Sequence, residues 1–244
     1  MSEALERMKL LIHEEGIQKL KNTSVMVVGI GGVGSYSAEA LARCGIGRLI
    51  LVDGDEIALS NLNRQIHATF ETVGRSKTTA MHERIKLYRD DCEVLEAPFF
   101  YSAAENEKLL SLQPDYIIDA IDTVTCKADL IEMAYEHGIP FISSLGMANR
   151  FDPTMIEITD LWKTNYDPLA KAMRSQLRKR GVHYRVPVLF SKEPPFVQRA
   201  VVDPDAVIRK VKMPPASTPF VPSAAGLAAA SYIVRKILKH EKPV

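Results

Sequence analysis

One glycine-rich junction constrains this chain more than any other feature. Residues 24–34 read SVMVVGIGGVG, an apolar, β-branched run that passes straight into G-x-G-x-x-G and then into GSYSAEALARC, whose spacing predicts a helix. In that context Gly29 permits a tight turn, Gly31 and Gly32 let backbone approach a phosphate, and Gly34 lets the helix lie close on the strand. The helix N-terminus adds free N–H groups and the positive end of a dipole. Strand, loop and helix together point to nucleotide binding, with a ligand-free glycine turn as the competing reading.

The rhythm continues downstream. RLILVD (48–53), EVLEAPFF (93–100), DYIIDAID (115–122) and IPFISSLG (139–146) are further short apolar runs, separated by segments with helical spacing and charge. They predict an α/β fold: a doubly wound, mostly parallel Rossmann-like sheet with helices on both faces. After about residue 147 the text turns proline-rich and irregular, as in FDPTMIEITD and KMPPASTPFVPS. The expectation is a single unit, 1–244, with a nucleotide-binding core at 1–146 and an irregular C-terminal lobe at 147–244 for substrate and dimer contacts. The closing AAGLAAASYIVRKILKH is a small-residue helix suited to tight packing or to a subunit interface.

Composition narrows the class. With 46% hydrophobic residues over 244 and a formal net charge of +1, the chain can bury a sizeable core and has no global drive toward nucleic acid or membrane. The charged N-terminus is unlike a signal peptide, and no apolar run approaches the ~18 residues of a bilayer span, so a cytoplasmic location with no transmembrane segment is expected. Cys44, Cys92 and Cys126 form no CxxC pair, which excludes a disulfide framework and a four-cysteine zinc site.

Asp53 ends the second strand 19 residues past Gly34, where a carboxylate can accept both ribose hydroxyls. To this point NAD would serve as well as ATP. The next segment, VDGDEIALSNLNRQIHATFETVGRSK (52–77), places Asn61, Arg64, Gln65 and Lys77 on the rim beyond the strand's carboxyl end, with Asp55 beside Asp53. Two cations there suit a triphosphate, because releasing pyrophosphate from ATP develops charge that Arg and Lys can neutralise. Asp122, at the end of DYIIDAID, is a candidate Mg²⁺ ligand, since Mg²⁺ takes one or two protein carboxylates and keeps several waters. Each of these residues taken alone could equally form a surface ion pair. His13, His67, His82 and His137 lack metal-like spacing and read as surface or capping residues, and Trp162 reads as a packing residue.

GIGGVG, LVDGDEIALSNLNRQ, GRSK and DAID, in this order and spacing, resemble the ThiF/MoeB/HesA group, bacterial relatives of ubiquitin-activating enzymes that adenylate a carboxylate with ATP and Mg²⁺. The resemblance spans residues 7 to about 146. It implies that Asp53 binds the ribose, that Asn61, Arg64 and Lys77 contact phosphates, that Gln65 supports the site, and that Asp122 orients Mg²⁺. Arg7, in ERMKLLI, corresponds to an arginine that family members lend across a homodimer interface.

The chain lacks the paired CxxC zinc ligands of the sulfur-carrier activators, so no zinc is expected, and Cys126 reads as structural. DPT at 152–154, ITDLWKTNYDPLAKAMRSQLRKRG, VPVLFSKEPP and KMPPASTPFVPSAAG resemble one subgroup, the tRNA threonylcarbamoyladenosine dehydratases. That resemblance implies adenylation of the threonyl carboxylate on a tRNA carrying threonylcarbamoyladenosine, followed by ring closure with release of AMP and pyrophosphate. No catalytic cysteine is then needed, because the nucleophile sits in the same molecule. Lys171, Arg174, Arg178, Lys179, Arg180 and Arg185 would supply tRNA contacts, although a basic helix is by itself more often a solvated face. The rival activity is adenylation of the C-terminus of a small ubiquitin-like sulfur carrier, and sulfur-relay proteins are a further class of partner. An NAD-dependent oxidoreductase would also use the glycine loop and Asp53 but has no use for Lys77, and a silent nucleotide sensor would bind ATP without exchanging pyrophosphate.

Overall fold

The computed structural model describes residues 3–198 and 215–239. In chain order the helices are α1 (Glu6–Lys21, broken at His13), α2 (Gly34–Cys44), α3 (Lys77–Lys86), α4 (Asn106–Ser111), α5 (Val124–Glu136), α6 (Pro168–Lys179) and α7 (Phe220–Ile237). The strands are β1 (Ser24–Val28), β2 (Arg48–Val52), β3 (Glu93–Ala97), β4 (Tyr116–Asp119), β5 (Phe141–Ser144), β6 (Ile156–Asp160) and β7 (Pro187–Ser191).

All seven strands form one sheet in the order β3-β2-β1-β4-β5-β7-β6. Every pairing is parallel except β6 with β7. The central strands are apolar throughout because both faces are covered. Val25 and Val27 of β1, with Leu49 and Leu51 of β2, enter one core with α1, α2, α3 and α7, while Met26, Val28, Ile50 and Val52 point into the other with α4, α5 and α6.

The five strands expected from the sequence are present, each shorter than its apolar run. The proline-rich text after residue 147 differs from its expectation in one respect: β7 joins β5 and β6 joins β7, so the sheet runs across residue 146 without a break. VPVLFS supplies β7, with Val186, Val188 and Phe190 packing in the second core and Leu189 in the first. The first residues of KMPPASTPFVPS lie outside the described residues. The small-residue helix packs within the subunit: Ala225, Ala229 and Ala230 of α7 are buried in the first core, and Ser37 Oγ of α2 donates to Gly226 O at 3.1 Å. Among the described residues no helix is long and apolar enough to cross a membrane.

Candidate nucleotide site

The strand order reverses between β1 and β4, which run parallel, and this opens a crevice at the carboxyl ends of the strands, the position where open α/β sheets bind ligands. A cleft of about 520 Å³ lies there, floored by the glycine loop and walled by the segments that follow β2, β3, β4 and β5.

The loop is possible only with glycine at two positions. Gly29 has φ +91° and donates its N–H to Val52 O at 2.7 Å, tying the end of β1 to β2. A Cβ on Gly34 would lie 1.7 Å from Gly29 O, so α2 can begin directly against the loop only without a side chain. Gly31 and Gly32 line the cleft as expected, and Gly34 sits behind it as support.

Asp53 does more than face a ribose. Its Oδ2 accepts the Ile30 N–H at 2.6 Å and its Oδ1 accepts the Asp55 N–H at 2.8 Å, so one carboxylate locks the glycine loop to the end of β2. Burial pushes this carboxyl above its usual range, opposed by Lys77 and by those two N–H groups. Lys77, the first residue of α3, is 7% exposed, with Nζ 2.6 Å from Asp55 Oδ2 and 3.9 Å from Asp53 Oδ1.

Asn61 is buried; its Oδ1 accepts the Ala58 N–H at 3.1 Å, which fixes the short turn Leu59–Asn61 and leaves the amide donors to the cleft it lines. Arg64 also lines the cleft. Its guanidinium donates to Ser60 O at 2.7 Å and to Asn63 Oδ1 at 3.0 Å, both neutral acceptors, and no carboxylate among the described residues pairs with it. An arginine anchored this way keeps its full charge for an anion. Gln65 is buried at the wall and its Oε1 has no partner among the described residues.

Asp122 lies beyond the end of β4, exposed at the cleft rim in the turn that leads into α5, with Thr123 Oγ1 3.5 Å from its Oδ1. The strand itself ends at Asp119, a residue for which the sequence suggests no role. Its buried carboxylate accepts Lys127 Nζ at 2.7 Å and Ser143 Oγ at 2.6 Å, and its other oxygen accepts the Ile121 N–H at 3.1 Å. This cluster clamps the turn that carries Asp122. Phe99, Phe100 and Tyr101 after β3 form an aromatic wall that the sequence reading does not anticipate, although FF at the carboxyl end of a parallel strand is a usable signal. Cys126 lines the cleft, and burial pushes its thiol up, away from a reactive thiolate.

Two expectations are changed by the structure. His67 is a core residue, 2% exposed, with neither ring nitrogen bonded; burial first, then Lys77 and Arg84, push its pKa down to about 4. Arg180 is not a free surface cation, since it bridges Asp129 and Glu132 on α5, while Arg174 is held by a neutral acceptor, Thr164 O at 3.0 Å. Arg7 is exposed on α1 and does not line the cleft of its own chain. Lys171, Arg178, Lys179 and Arg185 are exposed, and none of them lines the cleft. Trp162 packs as expected, its Nε1 donating to Tyr184 O at 2.9 Å.

A glycine loop, a strand-end carboxylate and an arginine with no carboxylate partner among the described residues line one crevice, the arrangement of a nucleotide-binding α/β protein. The chain belongs to the ThiF family, whose model matches residues 5–244. It is 45% identical over 244 residues to the tRNA threonylcarbamoyladenosine dehydratase of Bacillus subtilis, covering 98% of this chain and 96% of that protein. The crystal structure of the Escherichia coli tRNA N6-threonylcarbamoyladenosine dehydratase TcdA with AMP superposes with a TM-score of 0.90 at 33% identity, covering 98% of this chain and 95% of that one. Its complex with ATP gives 0.88 at 34% identity with the same coverage.

Proposed function

We propose that this chain is an ATP-dependent tRNA threonylcarbamoyladenosine dehydratase. The observation that carries the reading is the end-to-end likeness to the Bacillus subtilis enzyme, which extends through the part of the chain beyond residue 146. The cleft supports it with chemistry of the right kind.

A carboxylate is a poor electrophile because oxide is a poor leaving group. Its oxygen attacks the α-phosphorus of ATP, the bond to the β-phosphate breaks, and pyrophosphate departs. Arg64 and Lys77 neutralise the charge that develops on the departing phosphates, and Asn61 and the N–H groups of the glycine loop hold them in line. Asp53 has a free lone pair on each oxygen for the ribose after serving Ile30 and Asp55. Gln65 supports the phosphate side of the wall. An internal nucleophile of the modified nucleoside then attacks the acyl carbon, and AMP leaves with one carboxylate oxygen, so the nucleoside loses the elements of water.

Asp122 fits a Mg²⁺ ion: an exposed carboxylate at the rim, without a cationic partner among the described residues, is the donor that such an ion takes beside nucleotide phosphates. The ion would add charge neutralisation at the phosphates. In a homodimer, Arg7 would complete the neighbouring subunit's cleft. Carrier activation, the rival activity, requires a bound peptide tail in place of RNA.

The direct test is exchange of labelled pyrophosphate into ATP. Exchange that requires tRNA bearing threonylcarbamoyladenosine, and is absent with unmodified tRNA, supports the reading. Exchange driven by a ubiquitin-like carrier and indifferent to tRNA overturns it.

A further inference from the structure

At the amino edge of the sheet, opposite the nucleotide cleft, aromatic rings line a second hollow of about 430 Å³. Tyr116 and Phe141 are the first residues of β4 and β5, Tyr135 lies near the end of α5, and Tyr232 comes from α7. The Tyr135 ring stacks on Tyr184, with centroids 3.4 Å apart and planes 3° from parallel, yet Tyr135 is 51% exposed. One face is fixed by its neighbour while the residue still presents a large surface to solvent.

The basic text arrives at the same edge. α6 starts at the cleft, where Leu169 lines it, and its 12 residues run about 18 Å along the sheet. The chain then passes through Arg185 to Pro187, which begins β7 and borders the hollow. Arg180 neutralises Asp129 and Glu132 there. Arg178, Lys179 and Arg185 remain exposed, against Glu136 as the exposed carboxylate next to Tyr135. In a chain of net charge +1 this is a local concentration of positive charge beside a rigid aromatic step. That combination suits single-stranded nucleic acid, whose bases stack on rings and whose phosphates meet cations.

We propose that this edge is a second tRNA contact, which takes up an unpaired nucleotide of the substrate remote from the modified adenosine. It rests on tRNA being the substrate. The enzyme would then grip the folded tRNA at two points, one at each edge of the sheet, and not the anticodon loop alone.

The test compares steady-state kinetics with ATP on full-length tRNA bearing threonylcarbamoyladenosine and on its isolated anticodon stem–loop. The wild type is set beside Tyr135→Ala and the double variant Lys179→Glu/Arg185→Glu. The expected result is a lower wild-type KM for the full tRNA, raised about tenfold by either variant, the size of one lost stacking contact or a few lost phosphate contacts. The stem–loop's kcat and KM and the KM for ATP stay unchanged. Equal wild-type KM for the two RNAs overturns the proposal, as does a folded double variant that keeps the wild-type KM for full tRNA or loses both RNAs equally. Should Tyr135→Ala fail to fold, the charge reversal decides. Absence of AMP with either RNA in the wild type is a different failure, that of the tRNA reading itself, and the second contact falls with it.

Discussion

Lys77 Nζ stands 2.6 Å from Asp55 Oδ2, a buried ammonium held by a carboxylate that is itself 53% exposed. A phosphate entering the cleft competes with Asp55 for that ammonium, and Asp55 can turn to water while Lys77 cannot. Lys77→Met is expected to lower tRNA-dependent pyrophosphate exchange by about a hundredfold to a thousandfold, the usual cost of one charge-stabilising donor. Asp55→Asn is expected to lower the KM for ATP by up to about fivefold, the scale of a half-exposed ion pair. Initial rates against ATP concentration check both, and a raised KM in Asp55→Asn would show that Asp55 serves the nucleotide directly.

Gly34→Ala places a methyl group where the Gly29 carbonyl oxygen now lies, 1.7 Å from the ideal Cβ position. Backbone must move, because no flexible side chain is available to yield. The expected cost is at least about 1–3 kcal/mol in stability, with loss of nucleotide binding. Thermal melting with and without ATP checks it: the variant should melt lower and gain nothing from ATP.

Lys127 and Asp119 form a fully buried pair, 0% and 1% exposed, with Ser143 as third member. Burial lowers the lysine's pKa, opposed by Asp119. Lys127→Met strands a buried carboxylate and is expected to cost about 3–5 kcal/mol. Adding Asp119→Asn removes the stranded charge, keeps an amide oxygen to accept the Ile121 N–H and turns an amide donor to the Ser143 hydroxyl, which can accept it, and should recover part of the loss. Denaturant titration of the single and double variants measures this, and additive losses would contradict the pair's role.

His67 gives the fold an acid limit. Its pKa falls from 6.5 to about 4, so between those values the unfolded chain binds more protons than the folded one. Stability is unpenalised above pH 6.5 and falls as the pH drops toward 4, by about 1.4 kcal/mol per pH unit within that window. Below it the loss saturates. His67→Leu, which removes two unbonded buried nitrogens, should leave stability at pH 7.5 within about 1 kcal/mol of wild type and flatten the slope from about pH 6 to 5. Equal slopes for the two proteins would sink the idea.

Much of the cleft is legible in the sequence because its residues follow directly from strand ends. Gly29, Asp53 and Asp122 each lie within three residues of a strand's last position, and Asn61, Arg64 and Lys77 belong to one continuous segment after β2. What escapes is non-local. Lys127 reaches Asp119 from 8 residues further on, in the helix after the strand, but Ser143 comes from a neighbouring strand, and nothing in the spacing marks the three as buried together. Arg180 looks like a surface cation until α5 brings Asp129 and Glu132 to it from about fifty residues away. β6 and β7 are hidden by flanking prolines, which read locally as loop although the strands between them satisfy a sheet edge. His67 has the sequence surroundings of a loop residue, yet it is 2% exposed, a burial that periodicity does not report.

The most direct measurement incubates the protein with ATP, Mg²⁺ and tRNA bearing threonylcarbamoyladenosine, then weighs the modified nucleoside after mild, non-hydrolytic work-up while counting AMP. The expected result is loss of the mass of one water from the nucleoside, one AMP for each ring closed, and neither product with Arg64→Ala or Asp122→Asn. AMP formed with the nucleoside unchanged, or a nucleoside that loses water without AMP, would contradict adenylation followed by cyclisation in this cleft.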